Sequence, residues 1–171
     1  MSRAAFTVLI GMVISTSLVE RTHAQPAAAV PANLAQLMKG TFYPAANIVF
    51  AAQDLNPADV PRAKDPSMAT DLLTSSYGKW EAVENSALAM TELANLLTLP
   101  GRTCANGLDV PVKNPDWVKF VQELRDAGMS AYAAAKAKDQ DRMIEVSDVL
   151  ANACMHCHIR YREKKLADRC K

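Results

Sequence analysis

Four stretches of this chain repeat apolar residues every three to four positions, and this periodicity limits the fold more than any other feature. They span residues 32–53, 68–98, 114–138 and 139–165. Glycine is scarce, with six among 171 residues, and no alternating apolar run predicts a strand. We therefore predict an all-α fold, in which four amphipathic helices form an antiparallel four-helix bundle.

Several residues mark where these helices should bend, start and stop. Pro44 lies inside the first stretch, and a kink is expected there because proline removes a backbone hydrogen bond. Pro100 ends the second stretch, and Asn114 and Asp139 are suited to cap the third and fourth. The connection over residues 101–113 is long for a helical bundle, so it is either a simple connector or a partner-facing loop.

Residues 1–24 have the features of a secretory signal peptide. Arg3 supplies a positive charge ahead of a mostly apolar run, and a Thr-His-Ala sequence ending at Ala24 offers a cleavage site. The apolar run is shorter than the roughly 20 residues that a membrane helix needs, so a retained anchor is the weaker interpretation. Cleavage leaves residues 25–171 as one domain without a membrane span. We expect that domain in an oxidising exported compartment, the periplasm.

Charge and residue types exclude several classes of function. Residues 25–171 carry equal numbers of basic and acidic side chains, which leaves no basic surplus for nucleic acid or an anionic membrane. Their two histidines, His156 and His158, both lie beside a pair of cysteines. No serine–histidine pair, phosphate loop or paired carboxylates can be identified, so we do not predict an enzyme.

The chemistry-bearing motif is Cys154-Met155-His156-Cys157-His158. This C-x-x-C-H pattern is the attachment sequence for c-type haem. On a helix, residues at i, i+3 and i+4 share one face, so both thiols can form thioether bonds to one porphyrin while His158 directs a ring nitrogen at the iron. The motif therefore predicts one covalent haem c, with His158 as the proximal iron ligand.

Other interpretations of the cysteine pair stay open at this point. A thioredoxin-type redox motif opens a helix after a strand, and no strand precedes this pair. A zinc site is poorly supported because Cys104 and Cys170 do not form a second C-x-x-C. A disulfide between Cys154 and Cys157 is unfavourable for two residues three apart on one helix. His156 is interpreted as an exposed residue beside the haem edge rather than as a further metal ligand.

The motif continues to Tyr161 and Arg162 near the C-terminus, on the last predicted helix. This C-x-x-C-H-x-x-Y-R pattern resembles the class II c-type cytochromes, namely cytochrome c′ and its six-coordinate relatives. The resemblance implies a four-helix bundle in which Tyr161 packs beside the haem and Arg162 covers the solvent side of the histidine ring. It also implies that the sixth iron position faces the first helix, and that the protein forms a homodimer, as many members do.

The sequence Leu37-Met38-Lys39 resembles the region around the distal methionine of the six-coordinate members. Met38 is therefore a candidate distal iron ligand, and a thioether in that position raises the reduction potential. The alternative is that Met38 is a core residue, since methionine often fills gaps. Leu37 and Phe42 are then the distal neighbours of the haem.

Cys104 and Cys170 lie outside the motif. Two spare cysteines tend to pair in an oxidising compartment, and a disulfide would fasten the 101–113 connection to the C-terminus. Separate free thiols and an intermolecular bridge are the alternatives.

Three functions follow from a haem at this motif. With His158 and Met38 as axial ligands, the protein is a one-electron carrier for redox partner proteins of the periplasm. Without Met38 the iron is five-coordinate and can bind nitric oxide or carbon monoxide. A haem enzyme such as a peroxidase ranks last, because the first helix offers no histidine as a distal acid–base group and its best polar candidate is Asn47.

Overall fold

The structure, a computed structural model, describes residues 30–171; the predicted signal peptide lies outside this range. Its α-helices are α1 (Leu34–Leu37), α2 (Tyr43–Asp54), α3 (Trp80–Leu93), α4 (Pro115–Ala137) and α5 (Gln140–Tyr161). Short 3₁₀ turns occupy Pro57–Asp59, Pro66–Met68, Leu72–Thr74, Ala94–Thr98 and Leu166–Asp168. Within residues 30–171 there is no strand beyond one isolated bridge, so the all-α prediction is confirmed there. None of the helices in this range combines the length and apolar character needed to cross a membrane.

A π turn, Met38–Phe42, joins α1 and α2 into one continuous helix. The backbone N–H of Tyr43 donates to the carbonyl of Met38, five residues earlier. Pro44 follows in the first turn of α2, so this wider turn is where the helix accommodates the proline expected to disturb it. The extra residue also rotates the buried face, so that Phe42 is buried whereas Thr41 is only half-buried.

The long helices pack against one another around one apolar core. Helix α3 packs against α4, α4 packs against α5, and α2 packs against both α3 and α5. The largest fully buried apolar side chains are Trp117, Met90, Met143, Leu150, Val49 and Val83. Gly128 lets α3 and α4 approach closely, because a Cβ atom there would lie 2.4 Å from the Thr91 hydroxyl oxygen. The indole N–H of Trp117 also donates to the carbonyl of Leu97 at 3.0 Å.

The prediction that the second helix begins at residue 68 is wrong, because α3 begins at Trp80. The Asp71 side chain accepts a hydrogen bond from the Leu73 N–H at 2.9 Å, which stabilises a turn there instead. Gly78 is required just before the helix, since a Cβ atom would lie 2.3 Å from the Leu73 carbonyl oxygen. Leu73 is buried, but Tyr77, four positions later, is 70% exposed, so these two apolar residues do not share one helix face.

The caps of α4 and α5 differ in their chemistry. Asp139 caps α5 as predicted, and its side chain accepts a hydrogen bond from the Arg142 N–H at 3.0 Å. Asn114 stands at the start of α4 as predicted, but its side chain makes no capping hydrogen bond. The Asp116 carboxylate accepts from the Trp117 N–H at 2.9 Å, so an acid in the first turn satisfies a free donor of α4.

Candidate functional site

Cys154, Cys157 and His158 lie in the last two turns of α5. The helix is continuous through them, so residues three and four positions apart share one face. All three side chains are half-buried, and both cysteines are free thiols that pack against the edge of the apolar core. The structure therefore brings the three motif residues together at a sheltered but accessible face.

The two thiols lie in an environment that opposes ionisation. Burial raises the pKa of Cys154. Burial, followed by the charges of Cys154 and Asp116, raises the pKa of Cys157 to about 12. Disulfide-exchange enzymes depend on a thiolate with a lowered pKa, so these pKa directions count against the thioredoxin-type interpretation.

The two histidines of the motif have different surroundings. The His156 ring reaches the Glu123 carboxylate on α4 at 2.9 Å and is exposed, which agrees with its interpretation as an exposed neighbour of the motif. Within residues 30–171 the His158 ring has no hydrogen-bond partner. Burial, and then the charge of Arg162, lowers the pKa of His158. A neutral imidazole with a free nitrogen is the form that binds a metal ion.

Tyr161 closes α5 through contacts with the start of α4. It is 3% exposed, and its hydroxyl donates to the Asp116 carboxylate at 2.5 Å. The ring of Trp117 meets the Tyr161 ring edge-on, with centroids 5.1 Å apart. Arg160 also donates to Asp116, at 3.0 Å. The sequence marks Asp116 only as an acid suited to the start of a helix; its contacts with Arg160 and Tyr161, more than forty positions away, are brought about by the fold.

Arg162 stands at the C-cap of α5, and its backbone N–H donates to the His158 carbonyl at 2.7 Å. The predicted helix end at residue 165 is wrong, because α5 ends at Tyr161. The Arg162 guanidinium pairs with Glu163, with Nε 2.8 Å from the carboxylate oxygen. Its charge still lies close enough to lower the pKa of His158. The resemblance implies that Arg162 covers the solvent side of the His158 ring, and this role stays a prediction.

The candidate distal residues lie on the first helix. Leu37 and Phe42 are 6% and 5% exposed, whereas Met38 is half-buried at the edge of the core. The π turn that carries Met38 and Phe42 packs against α3. Ligation of iron by Met38 therefore stays a prediction. Leu37 and Phe42 are more deeply buried here than Met38.

Cys104 and Cys170 form a disulfide across 66 sequence positions. This is the intramolecular pairing among the three arrangements considered from the sequence. The backbone N–H of Cys170 donates to the Tyr161 carbonyl at 3.0 Å, so the C-terminal segment folds back onto the end of α5. The bridge thereby fastens the 101–113 connection beside the motif helix.

The residues of this site fit a covalent haem. Two free thiols and one imidazole without a partner share a half-buried helical face, which matches two thioether bonds and one axial ligand. In residues 30–171 no group of three or more histidine, cysteine, aspartate or glutamate side chains is arranged to hold a metal ion by itself.

No protein-family model, curated protein or solved structure matches this chain.

Proposed function

We propose that this protein is an exported c-type cytochrome that carries one covalently attached haem and transfers single electrons in the periplasm. The observation that carries the proposal is the shared face of Cys154, Cys157 and His158 near the end of α5. The residue types and their spacing are those of the haem-attachment motif. The proposed partners are redox proteins of the same compartment, and a homodimer is part of the proposal.

Each residue of the site has a defined task in this proposal. Cys154 and Cys157 hold the porphyrin through thioether bonds, and His158 offers its free ring nitrogen to the iron. Tyr161, anchored by Asp116 and Trp117, fixes the end of α5 behind them. When bound, the haem supplies a one-electron couple. The half-buried setting limits the access of water and so the solvent reorganisation that accompanies electron transfer.

We further propose that the helices form an antiparallel four-helix bundle, with α1 and α2 as one member. At one end of the molecule, the Gln140 side chain at the start of α5 donates to the Ala52 carbonyl near the end of α2. At the other end, the Leu34 N–H donates to the Thr103 carbonyl at 2.8 Å, beside the disulfide that reaches the end of α5. Both contacts support opposite directions for the first helix and α5. They also support a position for Met38 at the motif end of the bundle.

A five-coordinate protein that binds nitric oxide or carbon monoxide is the second candidate function. The deep burial of Leu37 and Phe42, compared with Met38, favours it, since an apolar distal side leaves the iron open to a small gas. The peroxidase alternative finds no comparable support. Asn47, its best distal candidate, is exposed on α2.

The test is the optical spectrum of the matured protein in its ferric and ferrous forms, with and without carbon monoxide. An electron carrier should give a low-spin spectrum with a sulfur-to-iron band and no response to carbon monoxide. A high-spin spectrum that changes with carbon monoxide would replace the electron carrier with the gas-binding protein. A colourless protein after co-expression with haem-attachment machinery would contradict both.

Replacement of the Met38 sulfur separates ligation from packing. Met38→Leu keeps the volume of the side chain, so it should abolish the sulfur-to-iron band and lower the reduction potential only if Met38 binds iron. Met143→Leu, at a fully buried methionine of α5, is the matched control and should leave the spectrum unchanged. Identical spectra for both variants and the parent would exclude Met38 as a ligand.

A further inference from the structure

The C-terminal segment concentrates positive charge immediately after the motif. Residues 160–171 contain six basic and two acidic side chains, whereas residues 25–159 contain eleven basic and fifteen acidic ones. The domain is thus neutral as a whole but strongly uneven in its charge distribution. We call the following six residues the basic patch: Arg160, Arg162, Lys164, Lys165, Arg169 and Lys171.

Contacts hold this segment against the end of α5. The disulfide from Cys104 fastens Cys170, and the Asn106 side chain donates to the carbonyls of Leu166 at 2.9 Å and Arg169 at 3.1 Å. The carbonyl of Lys171 accepts hydrogen bonds from Arg160 at 2.5 Å and from Lys164 at 3.0 Å. The chain therefore returns to the end of α5, and several of its cations lie there, about one turn beyond His158 in the sequence.

Half of the basic patch forms no ion pair with an aspartate or glutamate side chain. Arg160, Arg162 and Lys171 pair with carboxylates. Across residues 30–171, no aspartate or glutamate carboxylate lies within ion-pair distance of the other three members of the patch, which are Lys164, Lys165 and Arg169. The Lys164 ammonium donates to the main-chain oxygen of Lys171 at 3.0 Å. Two large apolar side chains, Ile159 and Leu166, are 60% and 55% exposed in the same part of the chain.

The opposite end of α5 carries the opposite charge. Its first three turns and its cap contain Asp139, Asp141, Glu145 and Asp148, with Arg142 as the one cation among them. A helix of this length separates its ends by about 30 Å, so an approaching charged surface meets two distinct poles. Lys136 and Lys138 at the end of α4 adjoin these acids, so an acidic partner should be attracted to the motif end more strongly than to the start of α5.

We propose that the basic patch is the docking surface for an acidic redox protein. This inference rests on the proposed function, because it assigns docking to the end at which the haem would be attached. Attraction between opposite charges accelerates and orients encounter, while exposed ion pairs release easily, as a transient electron-transfer complex requires. An anionic membrane fits less well, since residues 25–171 carry no overall basic surplus, whereas a small acidic surface need match only the patch.

The first experiment does not depend on haem. The double variant Lys164→Glu/Lys165→Glu is compared with the control Lys136→Glu/Arg142→Glu, which makes the same change in net charge around the α4–α5 connection. On a sulfonate cation exchanger, the patch variant should elute at far lower salt than the parent, and the control should elute close to the parent. Equal losses of retention in both variants would overturn the patch as the positive pole.

The second experiment measures electron transfer from a reduced acidic [2Fe–2S] ferredoxin, which loses one electron as the ferric protein gains one. At low ionic strength the patch variant should react about tenfold more slowly than the parent, and the control within about twofold. The difference should vanish at high salt, where charges are screened.

The outcomes separate this inference from the proposed function. A haem-containing protein whose variants all react at the parental rate would overturn the docking surface and leave the cytochrome proposal intact. If the patch variant bound phosphatidylglycerol vesicles more weakly than the parent but accepted electrons from ferredoxin at the parental rate, the proposed protein-docking surface would be replaced by a membrane-binding one. Failure to attach haem would contradict the proposed function, while the exchanger result would still decide whether the patch attracts acidic surfaces.

Discussion

At the scale of single residues, Asp116 connects the start of α4 to the end of the motif helix. Its carboxylate accepts from the Tyr161 hydroxyl, from the Trp117 N–H and from Arg160. The Tyr161 hydrogen bond is the largest reason that the pKa of Asp116 lies below its ordinary value, and the Trp117 and Arg160 interactions add to it. One side chain thus satisfies a backbone donor at the start of α4 and also holds the Tyr161 hydroxyl in place.

The lowered pKa of Asp116 predicts a pH dependence of stability. A carboxyl whose folded-state pKa is lowered stabilises the fold above its ordinary pKa, near 4, and this contribution is lost as the pH falls through the lowered value. Asp116→Asn should therefore have a lower Tm than the parent at neutral pH, with the difference shrinking in acid. Thermal unfolding followed by circular dichroism from pH 7 to pH 2.5 measures this. A Tm difference between parent and variant that stays constant over this pH range would contradict a stabilising role for the Asp116 charge.

The residues of the motif are predictable from the sequence because their chemistry is set by local spacing. Cys154, Cys157 and His158 need only a continuous helix to share a face, and α5 provides it. The contacts that Asp116 and Glu123 make with α5 have no such local signal, since Tyr161 and His156 lie on another helix. Side-chain pairs across helices depend on packing, which periodicity does not specify.

At the scale of the elements, most helix positions follow from periodicity, whereas the π turn in the first helix and the start of α3 depend on backbone detail. The π turn before Pro44 rotates the buried face of the first helix, which a fixed 3.6-residue pattern cannot represent. The start of α3 at Trp80 depends on the turn at Gly78 and on the positive φ of 63° at Lys79. Apolar spacing continues through residues 68–79, so the pattern alone extends the helix too far.

Alanine substitutions at Gly40 and Gly128 should have opposite effects on stability, because only Gly128 lies at the α3–α4 interface. Gly40→Ala, at an exposed position with no atom within 4 Å of the added Cβ, should stabilise the fold by up to about 1 kcal/mol. Gly128→Ala places its Cβ 2.4 Å from the Thr91 hydroxyl oxygen and 3.3 Å from the Ala87 carbonyl oxygen. It should be less stable than Gly40→Ala by about 1–3 kcal/mol in urea unfolding. Equal stabilities would contradict close contact between these helices.

At the scale of the whole molecule, a disulfide and the hydrogen bonds beside it hold three parts of the chain together. The Cys104–Cys170 disulfide joins the 101–113 connection to the C-terminal segment. The neighbouring Thr103 carbonyl accepts from Leu34 at the start of the first helix. Arg102, which is 5% exposed, also donates to the carbonyls of Ala32 and Leu96. One disulfide and several hydrogen bonds therefore cross-link the end of the molecule that carries the motif.

Removal of this disulfide should lower stability without removing the site. In the chain-entropy account, a bridge across 66 positions contributes about 4 kcal/mol. Cys104→Ser/Cys170→Ser should therefore unfold at a lower denaturant concentration than the oxidised parent and close to the parent under reducing conditions. If oxidised parent and variant unfold at the same concentration, the disulfide does not stabilise the fold.

The central claim is that Cys154 and Cys157 attach one haem, and the mass of the unfolded protein tests it most directly. After co-expression with haem-attachment machinery and extraction with acidified acetone, the parent and Cys104→Ser/Cys170→Ser should both retain the mass of one haem. Cys154→Ala/Cys157→Ala should show the mass of the polypeptide alone. Loss of haem from the parent on extraction, or retention of haem by Cys154→Ala/Cys157→Ala, would contradict the account.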